Sequence, residues 1–283
     1  MNIQKRTKRM LLAIFVGLMI ISLSQAKSLQ SSDLLESPKS INNGEISGFI
    51  LGLGVSYSPF RFTQYSETQT TIVNNNSTAS GGTTTTTTIT PLSSISANGY
   101  GAGGDIIVGY QGFLEPFREV VQFGVRIYGD LNATQTHIKN SDKLYAPIML
   151  RYGLNIDMMT NFIVVKRVFG LGLFAGVSIG GVSYLGKDID NIDKALREFD
   201  GTFPKGSFDL GVNVGIRANI ARNSGIELIF ALPLFELDYK ANKERVTKTN
   251  TRTTTTINRL RGDFKEWWSV GLRYIWTFDS SAK

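Results

Sequence analysis

The sequence predicts an all-β fold: an eight-stranded antiparallel transmembrane β-barrel with short periplasmic turns and long extracellular loops, behind an N-terminal signal peptide. Three observations predict it. The chain opens with an export signal, eight later segments alternate apolar with small or polar residues, and the connections between them alternate short with long.

The export signal comes first. Lys5, Arg6, Lys8 and Arg9 form a basic region, Leu11 to Leu23 an apolar stretch, and Ser24-Gln25-Ala26 the small residues of a cleavage site between Ala26 and Lys27. The stretch is shorter than the ~20 residues a membrane-spanning helix needs. No cysteine follows it, so lipoprotein processing is excluded. Residues 1–26 are the signal peptide, 27–45 a polar periplasmic leader, 46–278 the barrel and 279–283 a C-terminal tail. Removing the signal takes four of the 30 Lys and Arg and none of the 23 Asp and Glu, so the charge of +7 falls to +3. Nucleic-acid binding thereby loses its support. With no cysteine and a single histidine, His137, the chain offers neither disulfides nor a Cys- or His-rich metal site, and no cofactor is expected.

The strands follow in order. In a strand every second residue shares a face. The first, Ile46 to Tyr57, sets Phe49, Leu51, Leu53 and Val55 against Gly48, Gly52, Gly54 and Ser56. The second, Tyr100 to Tyr110, sets Ile106 and Val108 against Gly103 and Asp105. The third, Val121 to Tyr128, sets Val125 and Ile127 against Gly124 and Arg126. The fourth runs from Leu144 to Asn155, with Arg151 on its small and polar face. The fifth runs from Phe169 to Gly180. The sixth is the clearest: Phe208 to Ile220 alternates with Asp209, Gly211, Asn213, Gly215 and Arg217. The seventh, Ile226 to Leu234, opposes Glu227. The eighth, Trp268 to Phe278, opposes Ser269, Gly271 and Arg273. A soluble sandwich would also alternate, but its second face would not be half glycine with scattered charge. That face suits a crowded polar lumen, and the apolar one suits lipid. A backbone in lipid must satisfy its own polar groups, so the sheet has to close.

The connections Gln111 to Arg118 and Ala221 to Ser224 are short, and Asp157 to Arg167 is intermediate. Ser58 to Gly99, Asp130 to Lys143, Gly181 to Gly206 and Lys240 to Lys265 are longer and read as loops. Both termini are then periplasmic. The third long loop has helical spacing, with Ile189, Ile192, Leu196 and Phe199 on one side and Gly201 as its stop. The fourth is Thr-rich and basic. Its Lys243, Arg245, Lys248 and Arg252 are candidate contacts for lipopolysaccharide phosphates. Arg261-Gly262-Asp263 in the same loop spells an integrin-type tripeptide, and otherwise reads as a turn.

Inward parity gathers Asp105, Arg126, Arg151, Asp209, Arg217, Glu227 and Arg273 in the lumen. Eight strands leave room only for side chains, so these charges must pair or stay wet. The hairpin at Ala221 to Ser224 predicts an Arg217–Glu227 pair, and the preceding short turn predicts Asp105 near Arg126. The expected result is a structural plug, with a narrow pore as the alternative.

Ser269, Gly271, Tyr274, Trp276 and Phe278 form a polar, glycine and spaced-aromatic pattern that resembles the signal read by the barrel-assembly machinery. The five-residue tail after Phe278 departs from a terminal aromatic. The glycines between Gly99 and Gly104 lack the lysine and the strand-to-helix setting of a phosphate loop. His137 has no nucleophile or orienting acid beside it, and no enzyme is expected.

Residues 208–234, "FDLGVNVGIRANIARNSGIELIFALPL", and 267–278, "WWSVGLRYIWTF", resemble the Helicobacter outer membrane protein family of Hop-type adhesins and their shorter relatives. "RYGLNIDMMTNF", "FGLGLFAGVSIGG" and "GFILGLGVSY" resemble its middle and first barrel strands. The resemblance implies the barrel and an outer-membrane location. Large adhesins of that family insert a receptor-binding domain after the first strand. Here that slot is only Ser58 to Gly99, without the family's cysteine-clamped loops, so adhesin activity does not carry over. The expected function is a non-enzymatic barrel whose loops contact lipopolysaccharide, envelope partners or a host surface molecule, with a small channel as the alternative.

Overall fold

The computed structural model describes residues 46–75, 83–114, 121–140, 143–165, 169–221, 223–249 and 251–279. The expected signal peptide, its cleavage site, the leader and all but Asp279 of the tail lie outside the described residues. The strands are β1 (Gly48–Asn75), β2 (Thr83–Phe113), β3 (Gln122–Asn140), β4 (Lys143–Tyr145), β5 (Ile148–Val165), β6 (Phe169–Leu185), β7 (Gly206–Ala221), β8 (Ser224–Pro233), β9 (Leu237–Lys248), β10 (Arg252–Glu266) and β11 (Ser269–Asp279), with one helix, α1 (Lys187–Arg197), between β6 and β7.

Eight strands close a ring in the order β1, β2, β3, β5, β6, β7, β8, β11, every neighbour antiparallel. β11 pairs back onto β1 from Gly48–Asp279 to Tyr57–Val270, which leaves the barrel no open edge there. The eight-stranded barrel read from the sequence is the fold observed. Its short connections share one end, the turn end; β4, α1 and the β9–β10 hairpin share the other, the loop end.

Parity sorts the wall as the alternation requires. Leu154 is 60% exposed on the outside while Arg126, facing inward, is 0% exposed. Aromatic rings mark the margins of the apolar belt. Tyr57 lies beside Tyr100 and Trp268 towards the loop end, and Phe278 beside Phe49 and Trp276 towards the turn end. Such rings sit at membrane interfaces. Among the described residues, no helix is long and apolar enough to cross a membrane.

Three sequence expectations need correction. The fourth segment is not continuous from Leu144: β4 ends at Tyr145 and β5 begins at Ile148. Pro147 lies between them and has no N–H for a ladder. Its carbonyl instead accepts from the Thr136 backbone N–H and hydroxyl, at 3.0 and 2.7 Å. At its other end β5 runs through Asp157 to Val165, so most of what read as a connection is wall.

The third correction is the largest. The first, second and fourth long loops are mainly strand: β3 runs on through Asp130 to Asn140. β1 and β2 continue past the barrel to Asn75 and Thr83, and β10 takes over the edge of β1 from Phe60 to Asn74, above the point where β11 ends its pairing. β9 adds outside β10. The result is a four-stranded sheet, β2–β1–β10–β9, extending the barrel wall. Threonine is β-branched and suits extended backbone. Its repetition gave no apolar alternation by which to recognise a strand.

Candidate functional site

The lumen is filled by inward side chains in layers. Towards the turn end, Ile50, Ile107 and Ile275 pack with Tyr128. Met159, Phe174 and Ile229 form a second apolar cluster with Phe113. The ion pairs lie among these. Arg126 donates from Nη2 to Asp157 at 2.6 Å and from Nη1 to Glu227 at 2.6 Å. Its guanidinium lies 4.8 Å from the Tyr128 ring centre and 5.1 Å from that of Phe174. Arg217 stands directly opposite Glu227 in the ladder, with Nε 3.9 Å from the carboxylate. Arg273 donates to Asp105 at 2.5 Å. Arg151 joins Asp209 at 2.6 Å and also pairs with Glu266.

Glycine on the inner face makes room for these groups. A Cβ at Gly54 would lie 2.5 Å from Asp105 Oδ1 and 2.7 Å from Arg273 Cγ. One at Gly176 would strike Asp157 Oδ1 and come within 2.7 Å of Asn213 Oδ1. The glycine-rich face is thus the complement of the charged one.

All seven expected lumen charges face inward. The Arg217–Glu227 register is as predicted. The Asp105–Arg126 pair is not formed: Asp105 stands opposite Asn132, and Arg126 opposite Gln111. Asp105 reaches instead across β1 to Arg273, and Arg126 pairs with Asp157. The β2–β3 connection is placed differently from the assumed turn, and a shift of register moves each charge to another neighbour. Asp157 was missed because it was assigned to a connection. Its parity with Arg151 and Asn155 was the available signal. Glu266 was missed because it falls between the expected fourth loop, ending at Lys265, and the eighth strand, beginning at Trp268.

Above the charges the loop end is closed by a roof. α1 buries Ile189, Ile192 and Leu196 as their spacing predicted. They pack with Phe60, Phe62, Tyr239, Leu260 and Phe264 of the protruding sheet and with Met149 and Tyr184 of the wall. Asp188 accepts from the Ala146 N–H at 2.7 Å, and Asp193 from the Phe203 N–H at 2.8 Å and from Arg197. The Phe203 N–H, with Arg197, holds the Asp193 carboxyl below the usual range. The left-handed residue after the helix is Asp200, with φ 57°, rather than Gly201. Gly201 is instead where the chain crosses close to Ala241 of β9. Between roof and plug lies a cavity of about 70 Å³, lined by Asp105, Asp130, Arg151, Asn155, Asp209 and Arg273 among others. It has room for a few waters.

The expected basic loop is the β9–β10 hairpin, and its cations do not converge. Lys243 and Arg245 share the sheet face that is buried nearer the barrel, Lys248 lies on the opposite face, and Arg252 opens β10 near the hairpin tip. Lys243 also donates to the Glu198 carbonyl at 2.9 Å. Arg261, Gly262 and Asp263 are no turn: they occupy the middle of β10, flanked by β1 and β9. Thr63 donates to Asp263, and a Cβ at Gly262 would collide with Tyr239 and the Thr63 carbonyl. Asp238 faces Asp263 across the strands, and burial, with Glu236 and Asp263 nearby, raises its carboxyl pKa. Nearest the aromatic margin, Arg61 stacks at 4.7 Å on Trp267 and lies opposite Lys265. Neither cation was singled out in the sequence, because neither belonged to a cluster. Of the assembly pattern, Tyr274, Trp276 and Phe278 face outward, while Ser269 and Gly271 take the inward parity, on the strand that closes the ring.

The model of the Helicobacter outer membrane protein family matches residues 105–278, more than half of the chain. No curated protein sequence matches it. Among solved structures the chain is similar to the outer membrane protein OprG of Pseudomonas aeruginosa, with 13% identity over 84% of this chain and 99% of that one and a TM-score of 0.35. It is similar to the outer membrane protease OmpT of Escherichia coli, with 9% identity over 86% and 99% and a TM-score of 0.29. Neisserial surface protein A gives 14% identity over 77% and 97% and a TM-score of 0.26. The barrel, its apolar belt and the family match put the protein in the outer membrane. The chain belongs to the Helicobacter outer membrane protein family.

Proposed function

We propose that the protein is a non-conducting, non-catalytic barrel that holds a β-sheet out from the cell surface, where cations of the sheet contact lipopolysaccharide phosphates. The observation that carries this reading is the division of labour in the fold. The lumen is occupied by ion pairs and apolar layers and roofed by α1, while the protruding sheet bears the exposed cations Lys240, Lys243, Arg245, Lys248 and Arg252. In this orientation the turn end and both termini are periplasmic. Cations within a Debye length of an anionic surface bind it in a salt-dependent way. Substituting Lys243, Arg245, Lys248 and Arg252 together by Gln should weaken association with lipopolysaccharide at low salt and flatten its salt dependence. An unchanged affinity at both low and high salt would sink the phosphate contact. The filled lumen also speaks against the small-channel alternative. Purified protein in planar bilayers should show no unitary conductance.

A further inference from the structure

The protruding sheet has two outer edges, and they differ in kind. β9 presents Lys240, Lys243, Glu244, Arg245 and Lys248 along its edge. Charge on an edge strand blocks further pairing. The other edge is β2. β3 covers β2 only from Gly99 to Phe113. From Thr83 to Asn98, β2 pairs with β1 on one side and with no other strand among the described residues. That stretch, "TTTTTTITPLSSISAN", carries no charge. A register shift, with Pro91 opposite Glu67, interrupts it. Beyond the shift, Thr83 to Thr90 is an unbroken, β-branched segment, and its side chains from Thr85 onward are exposed. Unpaired N–H and C=O groups on such an edge are a template for another strand.

The sheet already displays what pairs with this edge. Thr88, Thr70 and Thr256 stand side by side across β2, β1 and β10, as do Thr87, Thr71 and Thr255. A second copy of β2 would add a further threonine column to the same ladder, with no like charges opposed. Resting on the outward placement of the sheet proposed above, we infer that this edge binds the same edge of a second copy of this chain, as an antiparallel pair.

The geometry then fixes where the second copy stands. A two-fold axis that makes two strands antiparallel within one continuous sheet runs perpendicular to that sheet. This sheet extends the barrel wall, whose normal lies in the membrane plane. A two-fold axis in that plane reverses the membrane normal. The two copies therefore sit in facing membranes, and the contact joins two surfaces rather than two neighbours in one bilayer. Pairing centred near Thr87 spans at most about 80 Å between the barrel rims, at ~3.4 Å per residue along two strands. One contact is small, but many in parallel between two surfaces give avidity.

The test uses full-length mature protein in phosphatidylcholine vesicles, scored by light scattering and by co-sedimentation of two dye-labelled populations. Wild-type vesicles should cluster. T86K/T88K vesicles should cluster at least about tenfold more slowly, because lysines then oppose lysines across the pair. T86E/T88E vesicles should behave likewise. Mixing the Lys and Glu populations should restore clustering between them, and added salt should weaken only that mixed clustering. Heat-modifiable gel mobility confirms that each variant is folded. Wild-type vesicles that stay dispersed, a Lys variant that clusters as wild type does, or a Lys–Glu mixture that stays dispersed would each overturn the inference. Trypsin cleavage of β9 on intact cells reports separately on whether the sheet faces outward, so failure of that reading is distinguishable.

Discussion

Arg217 and Glu227 stand directly opposite each other across the β7–β8 hairpin, yet Glu227 lies closer to Arg126, at 2.6 Å, than to Arg217, at 3.9 Å. One carboxylate from a local hairpin thus ties in an arginine from across the lumen. With Asp157 beside Arg126, two arginines and two acids lie together among the described residues.

Removing Glu227 should take an acidic neighbour from both Arg126 and Arg217 in a site where all three are almost fully buried. Glu227→Ala is expected to cost ~3 kcal/mol or more, measured by urea unfolding in detergent or lipid. Glu227→Gln with Arg217→Met should cost less than Glu227→Ala alone, since a charge leaves with its partner. A cost below ~1 kcal/mol for Glu227→Ala would mean that water screens the lumen as it screens a surface pair.

The roof and the plug are separate layers. Replacing residues 187–200 by a short Gly-Ser linker should expose the apolar cluster beneath α1 to protease and dye. It should not open a conducting path, because the isoleucine layer and the ion pairs below remain. Unitary currents from the deletion protein would show that the roof is the gate.

Leu196 is fully buried at the centre of the roof. Leu196→Ala should cost about 2–5 kcal/mol of the roof's local stability. Faster amide exchange in α1, with exchange in the wall strands unchanged, is the expected pattern. Equal acceleration throughout would show that roof and barrel unfold as one unit.

The roof's pH dependence follows from Asp193. Its carboxyl is held below the unfolded value by the Phe203 N–H and by Arg197. A depressed pKa contributes stability that is present above the unfolded value and lost as pH falls through the lowered one. Protection of the Phe203 amide should therefore be constant from neutral pH down to about pH 5 and decline only below the ordinary carboxylate range. Asp193→Asn should abolish that acid-side decline while keeping an acceptor. The Asp190–Lys205 pair has the opposite sign: Asp190 raises the Lys205 pKa, and that contribution is lost only as the solution becomes strongly alkaline.

Period-two alternation by itself determined the ring, the lipid-facing belt, the inward parity of the charges and the Arg217–Glu227 register. The apolar spacing of Ile189, Ile192 and Leu196 determined the helix, while Phe199, expected on the same side, lies beyond its end and is partly buried. These are local properties: a strand's two faces and a tight hairpin's pairing follow from residues close in the chain. Tertiary structure decided the rest. Which arginine meets which acid depends on the register of strands far apart in sequence, so Arg126 could not be paired with Glu227, 101 positions away, from either segment alone. The threonine runs carry no faces to read, and they became strands because β1 outruns β11 and offers its free edge to β10. The open backbone edge of β1, together with Phe60, Phe62, Tyr239, Leu260 and Phe264 packed against α1, built the protruding sheet.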